Sequence, residues 1–169
     1  MDLLRTQPCM LQFRTLVPGA VEWKNARMED ALRLTRPEIT LALTRGITRV
    51  LIDHGLAPIL EVPLANGRRA DVMALTARGE IWIVETKSCL EDFAVDSKWP
   101  EYIDYCDRFF FGVTEAFPRE VIPEECGLMV ADGFGGAILR DSPVRPLAGA
   151  RRKAVTLLFA RLAALRPPL

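Results

Sequence analysis

RADVMALTARGEIWIVETK, residues 69–87, carries the clearest strand and turn signals in the chain. Two runs rich in apolar and β-branched residues, 69–75 and 80–84, flank a turn sequence that ends in Gly79. The second run is apolar on both faces, as expected of a central strand that helices cover on each side, and it continues into a polar segment at 85–87. The stretch therefore predicts an antiparallel hairpin whose second strand lies inside a sheet.

Pairing within this hairpin brings two carboxylates together. If the hairpin closes with Leu75 opposite Ile81, Asp71 stands directly opposite Glu85, and the Cβ atoms of residues so paired are about 5 Å apart. Carboxylates held this close repel each other unless a cation lies between them. Lys87 follows Glu85 on the same face of the strand, because side chains alternate with a period of two.

The candidate ligands are oxygen atoms, and no histidine or thiolate pair accompanies them. Such a donor set favours a hard cation, Mg²⁺ or Mn²⁺, bound through one or two carboxylates, waters and a substrate phosphate. A lysine beside that cation can orient the attacking water or offset the charge that grows on the phosphate in the transition state. Hydrolysis of a phosphodiester is the reaction that uses Asp71, Glu85 and Lys87 together.

The residues on either side of the hairpin predict an α/β fold. Thr35 and Glu38 form a capping box, which starts a helix that runs to about His54. Further strands are expected at 58–64, 108–113, 127–131 and 137–140, and further helices at 97–105 and near the C-terminus. The strand, helix, strand order implies a right-handed crossover and a parallel neighbour for the central strand.

Length and composition bound the organisation of the chain. A chain of 169 residues with 50% hydrophobic content can fill one buried core. We interpret residues 1–34 as an N-terminal extension and residues 35–169 as a single domain. Apolar runs fall well short of the ~20 residues that cross a bilayer, so we expect a cytoplasmic protein without membrane contact. The cysteines lack a CxxC pair and indicate neither a zinc site nor a disulfide framework.

Two acidic residues are candidates for a third carboxylate of the site. The capping box already explains Glu38. Glu61 lies on the first strand, but a two-residue Asn66-Gly67 loop sets Val62, and not Glu61, opposite Asp71. A shift of this register by one residue would bring Glu61 to the site.

Basic and aromatic residues near the hairpin are candidates for contacts with DNA phosphates. Arg68 and Arg69 directly precede the site, and Lys98 and Tyr102 lie four residues apart on one face of the predicted helix. Lys98 is equally well explained as a solvated charge, and Tyr102 as a core ring with a polar tip. We interpret the basic cluster 151–153 as the solvated start of the C-terminal helix.

Four segments resemble the MmcB-type DNA repair family of bacteria. They are GRRAD at 67–71, EIWIVETKS at 80–88, DSKWPEY at 96–102 and YCDR at 105–108. Asp71 followed by Glu85-Thr86-Lys87 also resembles the D…ExK signature of the PD-(D/E)xK nuclease superfamily. Ala70 stands where that superfamily usually has proline, a departure that leaves the carboxylate in place.

The resemblance implies a restriction-endonuclease-like core, built from a helix, three antiparallel strands, a helix and a parallel strand, with an added strand pair and C-terminal helix. It implies that Asp71 and Glu85 ligate the metal, helped by the main-chain carbonyl of Thr86, and that Lys87 is the catalytic lysine. The expected function is a Mg²⁺-dependent nuclease, endonuclease or exonuclease, that acts on DNA in repair. Other repair proteins are a further candidate class of partner.

Two alternatives remain beside this expectation. One is a non-catalytic DNA-binding or scaffolding module on the same fold, although the complete acid, acid, lysine set argues against it. The other is an RNA-processing nuclease, which would use the same chemistry.

Overall fold

The computed structural model describes residues 35–95 and 98–166, so the predicted N-terminal extension, residues 1–34, lies outside the described part of the chain. The described residues form an open six-stranded mixed sheet. Helices pack on both of its faces, and two clusters of buried side chains fill the space between the layers. The α/β class expected from the sequence is confirmed.

The strands follow the predicted positions to within one residue at either end. The elements are α1 (Arg36–Asp53), β1 (Ala57–Pro63), β2 (Arg69–Leu75), β3 (Ile81–Lys87), α2 (Leu90–Val95), α3 (Pro100–Ile103), β4 (Arg108–Val113), a short 3₁₀ helix (Arg119–Val121), β5 (Gly127–Ala131), β6 (Gly136–Arg140) and α4 (Gly149–Leu165). The order in the sheet is β1-β2-β3-β4-β5-β6. The pairs β3–β4 and β4–β5 are parallel and the others are antiparallel, so the predicted parallel neighbour of the central strand is confirmed. Among the described helices, none combines the length and apolarity that crossing a bilayer requires.

Helix α1 begins and ends as its sequence predicts. The Glu38 carboxylate accepts hydrogen bonds from the main-chain N–H and the hydroxyl of Thr35, at 2.7 and 2.8 Å. These bonds hold the pKa of Glu38 below its usual value. At the other end a ring nitrogen of His54 lies 2.8 Å from the Val50 carbonyl oxygen, and Gly55 takes the left-handed conformation with φ +76°. Glu38 is therefore a capping residue, as the sequence indicates.

The single helix predicted at 97–105 is wrong in its extent. The structure has α2, which the sequence analysis missed, and the four-residue α3. Main-chain hydrogen bonds from Glu101 to Lys98 and from Tyr105 to Tyr102 span three residues, which is the 3₁₀ pattern. The tighter turns on both sides of α3 therefore replace the regular helix that the sequence suggests.

The β2–β3 hairpin has the predicted register. Leu75 pairs with Ile81, and the pairing continues to Val72 with Val84. The turn is closed by a hydrogen bond from the Thr76 N–H to the Glu80 carbonyl, at 2.9 Å. The next positions along the two strands are those of Asp71 and Glu85.

The β1–β2 hairpin differs from the predicted register by one residue. Val62 pairs with Ala70, which leaves Glu61 at the level of Asp71. The cause is the turn: Leu64 N–H donates to the Arg68 carbonyl, so three residues, and not two, form the loop. A two-residue type I′ loop needs positive φ at both positions, whereas here Gly67 alone supplies it, with φ +81°.

Strands β1 and β2 change the face that they present to the core at Glu61 and Asp71. Leu60 and Val72 pack in the cluster under α1, whereas Val62 and Ala70 pack in the cluster on the opposite face. In regular strands, residues two apart share a face. Glu61 has φ +53° and is the only non-glycine residue of positive φ within the described ranges, so the backbone distortion that permits this switch lies there.

An ion pair ties α4 to the beginnings of the central strands. The Asp107 side chain is 2% exposed, and its oxygens accept hydrogen bonds from Arg152 at 2.5 and 2.9 Å. Main-chain N–H groups of Ile81 and Leu147 also donate to it, at 2.8 and 3.0 Å. The interpretation of 151–153 as a solvated helix start is therefore wrong for Arg152, because its guanidinium group binds the buried Asp107 carboxylate, about 45 residues away along the chain.

Replacing Asp107 with Asn is predicted to lower the free energy of unfolding by about 3 kcal/mol at pH 7, because the buried end of Arg152 loses its counter-charge. Burial raises the pKa of Asp107, but the hydrogen bonds from Arg152, Ile81 and Leu147 outweigh it and hold the pKa below its usual value. The stabilisation is thus present above the unfolded-state pKa of about 3.9 and is lost as the pH falls through the native value.

Urea unfolding of both proteins between pH 7 and about 2.5 measures this difference, which should shrink at acidic pH. Asp104→Asn is the matched control, because Asp104 is exposed and its replacement should change stability by less than about 0.5 kcal/mol. A difference for Asp107→Asn that stays constant across this pH range would contradict the assignment.

At position 61, glycine is predicted to be more stabilising than alanine by about 1 kcal/mol, since φ +53° strains any residue with a Cβ atom. Thermal unfolding of Glu61→Gly and Glu61→Ala gives the comparison. The same two substitutions at Leu139, an exposed position of β6, should show the reverse order. If the alanine variant is the more stable one at both positions, backbone strain at Glu61 is contradicted.

Candidate functional site

The C-terminal end of β3 carries three consecutive polar residues in a buried setting. Glu85 is 4% exposed, and Thr86 and Lys87 are each 8% exposed. Strand β4 lies alongside, with Phe111 opposite Glu85 and Val113 opposite Lys87. Acidic and basic side chains are almost never covered this completely unless they are paired or serve a function.

Asp71 reaches this strand end from β2. Its Oδ2 accepts hydrogen bonds from the main-chain N–H and the hydroxyl of Thr86, both at 2.8 Å. In return, the main-chain N–H of Asp71 donates to Oε1 of Glu85 at 3.2 Å. Asp71 and Glu85 are therefore in contact, but through the main-chain N–H of Asp71, whereas its carboxylate is bound to Thr86. The convergence of the two carboxylates on one cation stays a prediction.

The faces of β3 explain which side chains can act together. Ile83 packs in the core cluster that includes Tyr102 and Phe109, and alternation places Glu85 and Lys87 on that same face. Thr86 belongs to the opposite face, yet it contacts Asp71 because β2 changes face at that residue. The contribution of the Thr86 hydroxyl was missed from the sequence, where only its carbonyl was considered; the side-chain alternation within Glu-Thr-Lys was the available signal.

Within the part of the chain that the structure describes, neither candidate for a third carboxylate joins this pair. The Glu38 carboxylate accepts the capping hydrogen bond from the Thr35 N–H at the start of α1. Glu61 lies at the level of Asp71, but its carboxylate forms an ion pair with Arg69. Among residues 35–95 and 98–166, no group of three or more His, Cys, Asp or Glu side chains is arranged to hold a metal ion.

The donor set suits a hard cation. Mg²⁺ is commonly bound through one or two carboxylates together with waters and substrate phosphates, so two carboxylates from neighbouring strands meet that requirement. Both hydrogen bonds from Thr86 go to the same oxygen of Asp71, which leaves its second oxygen as a donor for a cation. The residues present therefore fit Mg²⁺ or Mn²⁺.

The two arginines that precede Asp71 are held differently. Arg68 forms a bidentate pair with Glu101 of α3, with both N–O distances 2.8 Å. The Asn66 side chain also donates to the main-chain carbonyl of Glu101, so the β1–β2 turn is fastened to α3 at two points. Arg69 instead pairs with Glu61 across the strands, and both side chains are largely exposed.

Lys98 and Tyr102 occupy different environments. Lys98 is exposed, in keeping with a charge at the surface. Tyr102 is 6% exposed, its ring stacks on Phe109 with centroids 5.8 Å apart, and its hydroxyl donates to the Arg69 carbonyl at 3.3 Å. Tyr102 thus matches the description of a core ring with a polar tip, and its observed contact positions the β2 main chain next to the site. A phosphate contact by either residue stays a prediction.

The cysteines that the structure describes are not arranged as reactive groups. Cys106 and Cys126 are free and buried, whereas Cys89 is partly exposed. Burial raises the pKa of the Cys126 thiol to about 12 and shifts that of Cys106 in the same direction. Protonated, buried thiols are poor nucleophiles and poor metal ligands, so Cys106 and Cys126 are not candidates for site residues.

Comparison with known proteins places this site in a family. A solved structure of a protein of unknown function from Silicibacter pomeroyi is similar, with a TM-score of 0.72 and 43% sequence identity, over 78% of this chain and 88% of that chain. Curated proteins gave no match. The family of DNA repair proteins described as MmcB-like matches residues 28–168, which include every residue of the site. The chain therefore belongs to the MmcB-like DNA repair protein family.

Proposed function

We propose that this protein is a metal-dependent nuclease of the PD-(D/E)xK type that hydrolyses phosphodiester bonds of DNA during repair. The observation that carries the proposal is the pair of contacts that Asp71 makes with the end of β3, together with the buried Lys87 on that strand. The Asp71 carboxylate accepts from Thr86, and its main-chain N–H donates to Glu85. Two acids and a lysine at one strand end provide cation ligands and a positive charge for a phosphate. Membership of a DNA repair family supports DNA as the substrate.

Each residue of the site has a distinct role in this proposal. Asp71 and Glu85 hold a divalent cation, which supplies charge stabilisation to the phosphate when it is bound. Thr86 orients Asp71 through its N–H and hydroxyl groups, and a ligand role for its carbonyl remains part of the proposal. Lys87 orients the attacking water and offsets negative charge on the phosphate in the transition state.

The surface beside the site supports binding of a charged backbone. Arg69 and Lys98 are exposed, and Arg68 directly precedes Arg69 in the β1–β2 turn. Phosphate contacts of this kind position a nucleic acid without reading its sequence. The proposal therefore assigns Arg69 and Lys98 to contacts with DNA phosphates. Arg68, which binds Glu101, and Tyr102, which binds the Arg69 carbonyl, hold the main chain beside them in position.

One observation favours the alternative of a non-catalytic DNA-binding module. Oδ2 of Asp71 already accepts two hydrogen bonds from Thr86, which is also how an aspartate with a purely structural role would be satisfied. In that case Asp71 would hold the β2–β3 pair together and the protein would bind DNA without cutting it.

Cleavage assays with Mg²⁺ or Mn²⁺ test the proposal. The purified protein is incubated with single-stranded, flapped and branched DNA, and with RNA of matching sequence, and the products are resolved by size. Asp71→Ala and Lys87→Ala are each predicted to reduce the cleavage rate at least about 100-fold, because each removes charge stabilisation at the reacting phosphate. Chelation of the divalent cation should abolish cleavage by the wild type.

Glu80→Gln serves as the control variant, because it removes a carboxylate just before β3, at the end of the strand opposite to Glu85 and Lys87. It should cleave at the wild-type rate. Equal cleavage by wild type, Asp71→Ala and Lys87→Ala would rule out this site as the catalytic centre. DNA binding without cleavage would favour the binding module, and cleavage of RNA alone would favour RNA processing.

A further inference from the structure

We propose that the Glu61 carboxylate occupies the position on Arg69 that a DNA phosphate takes, so that DNA binding exchanges one anion for another. The inference rests on the proposed function, because it takes Arg69 as a DNA contact. It adds to the nuclease proposal that a carboxylate of the protein itself competes with the DNA phosphate for Arg69.

The contact itself has the chemistry of a phosphate mimic. Nε of Arg69 forms an ion pair with Oε2 of Glu61. Arginine recognises carboxylates and phosphates through the same planar set of N–H donors, so either anion can take the same place on the guanidinium group. The Arg69 side chain is 67% exposed and that of Glu61 is 54% exposed, so an incoming phosphate can reach both.

The position of the pair ties it to the site. Arg69 is two residues from Asp71, a distance of about 7 Å along a strand. Glu61 stands at the level of Asp71 on the neighbouring strand, because the three-residue turn sets Val62 opposite Ala70. A phosphate bound to Arg69 would therefore lie beside the scissile phosphate that the cation at Asp71 and Glu85 would hold, at the spacing of neighbouring phosphates along a nucleic acid strand.

The main-chain conformation of Glu61, the residue that competes with the phosphate, is strained. Its φ of +53° is unfavourable for a residue with a side chain, by about 1–2 kcal/mol. An exposed ion pair contributes only about 0–1 kcal/mol to stability, so the contact with Arg69 is not needed to hold the strands together. Strained residues of this kind concentrate at ligand clamps and switches.

The neighbouring arginine shows what a structural ion pair looks like in the same hairpin. Arg68 binds Glu101 through two hydrogen bonds of 2.8 Å, and a third bond from Asn66 reaches the Glu101 carbonyl. The side chains of Arg68 and Glu101 are 30% and 45% exposed, less than those of Arg69 and Glu61. The Arg68 pair is an anchor, whereas the Arg69 pair is a single exposed contact that a stronger anion can displace.

The test measures DNA binding in the absence of divalent cations. Fluorescence anisotropy follows a fluorescein-labelled oligonucleotide, single-stranded in one series and flapped in another, at low ionic strength with EDTA present. Glu61→Gln is predicted to lower the Kd about three- to tenfold, because the amide no longer competes for Arg69 as an anion. Arg69→Gln is predicted to raise the Kd.

The double variant separates competition from a general effect of charge. If Glu61 acts through Arg69, adding Glu61→Gln to Arg69→Gln should leave the Kd unchanged within about twofold. If removal of any nearby negative charge tightens binding, the gain will persist without Arg69, and this outcome overturns the inference. Glu80→Gln makes the same change of charge at the far end of β3 and should alter the Kd less than twofold.

Failure of this inference and failure of the nuclease proposal give different results. If the wild type cleaves DNA and Glu61→Gln leaves the Kd unchanged, the competition between Glu61 and DNA is overturned and the nuclease proposal stands. A tenfold gain that depends on Arg69, without cleavage, supports the competition and refutes the nuclease. Thermal unfolding of each variant, with retained cooperative unfolding required, excludes loss of structure as the cause of a changed Kd.

Discussion

The register of the β2–β3 hairpin is the constraint on which the candidate site depends. The turn between Thr76 and Glu80 has three residues and ends in Gly79, which takes a left-handed conformation with φ +82°. This turn sets the pairing that leaves Asp71 at the level of Glu85. A shift of one residue would turn the side chains of β2 to the opposite face of the sheet, and Asp71 would no longer reach the buried end of β3.

Local patterns predicted the parts of the fold that depend on neighbouring residues. Strand positions, the start and end of α1 and the β2–β3 register follow from alternation, capping and turn chemistry, and all are confirmed. The predicted register of the β1–β2 hairpin was wrong by one residue, because the Asn66-Gly67 pair fits a two-residue and a three-residue loop equally well. The Asp107–Arg152 pair joins residues far apart in the chain, so no local pattern could reveal it. The positive φ of Glu61 is set by the sheet around it and is likewise invisible to local patterns.

The irregularity in β1 and β2 allows the Asp71 carboxylate to contact Thr86 of β3. In a regular strand, residue 71 would share the face of Met73, whereas the change of face at Glu61 and Asp71 puts the Asp71 carboxylate on the face of Thr86. There it contacts Thr86, which would lie on the opposite face from Asp71 if β2 alternated regularly. Backbone strain in β1 and the contact of the Asp71 carboxylate with β3 are thus parts of the same arrangement. Strained residues are common at functional sites.

We propose that the carboxylates of Asp71 and Glu85 bind one divalent cation together. Anomalous diffraction from crystals of the protein grown with Mn²⁺ can show whether they do. We expect an anomalous peak within about 2.0–2.6 Å of oxygens from both carboxylates, the range of metal–oxygen bonds for hard cations. Occupied Mn²⁺ sites elsewhere on the protein, with Asp71 still bound only to Thr86, would contradict it.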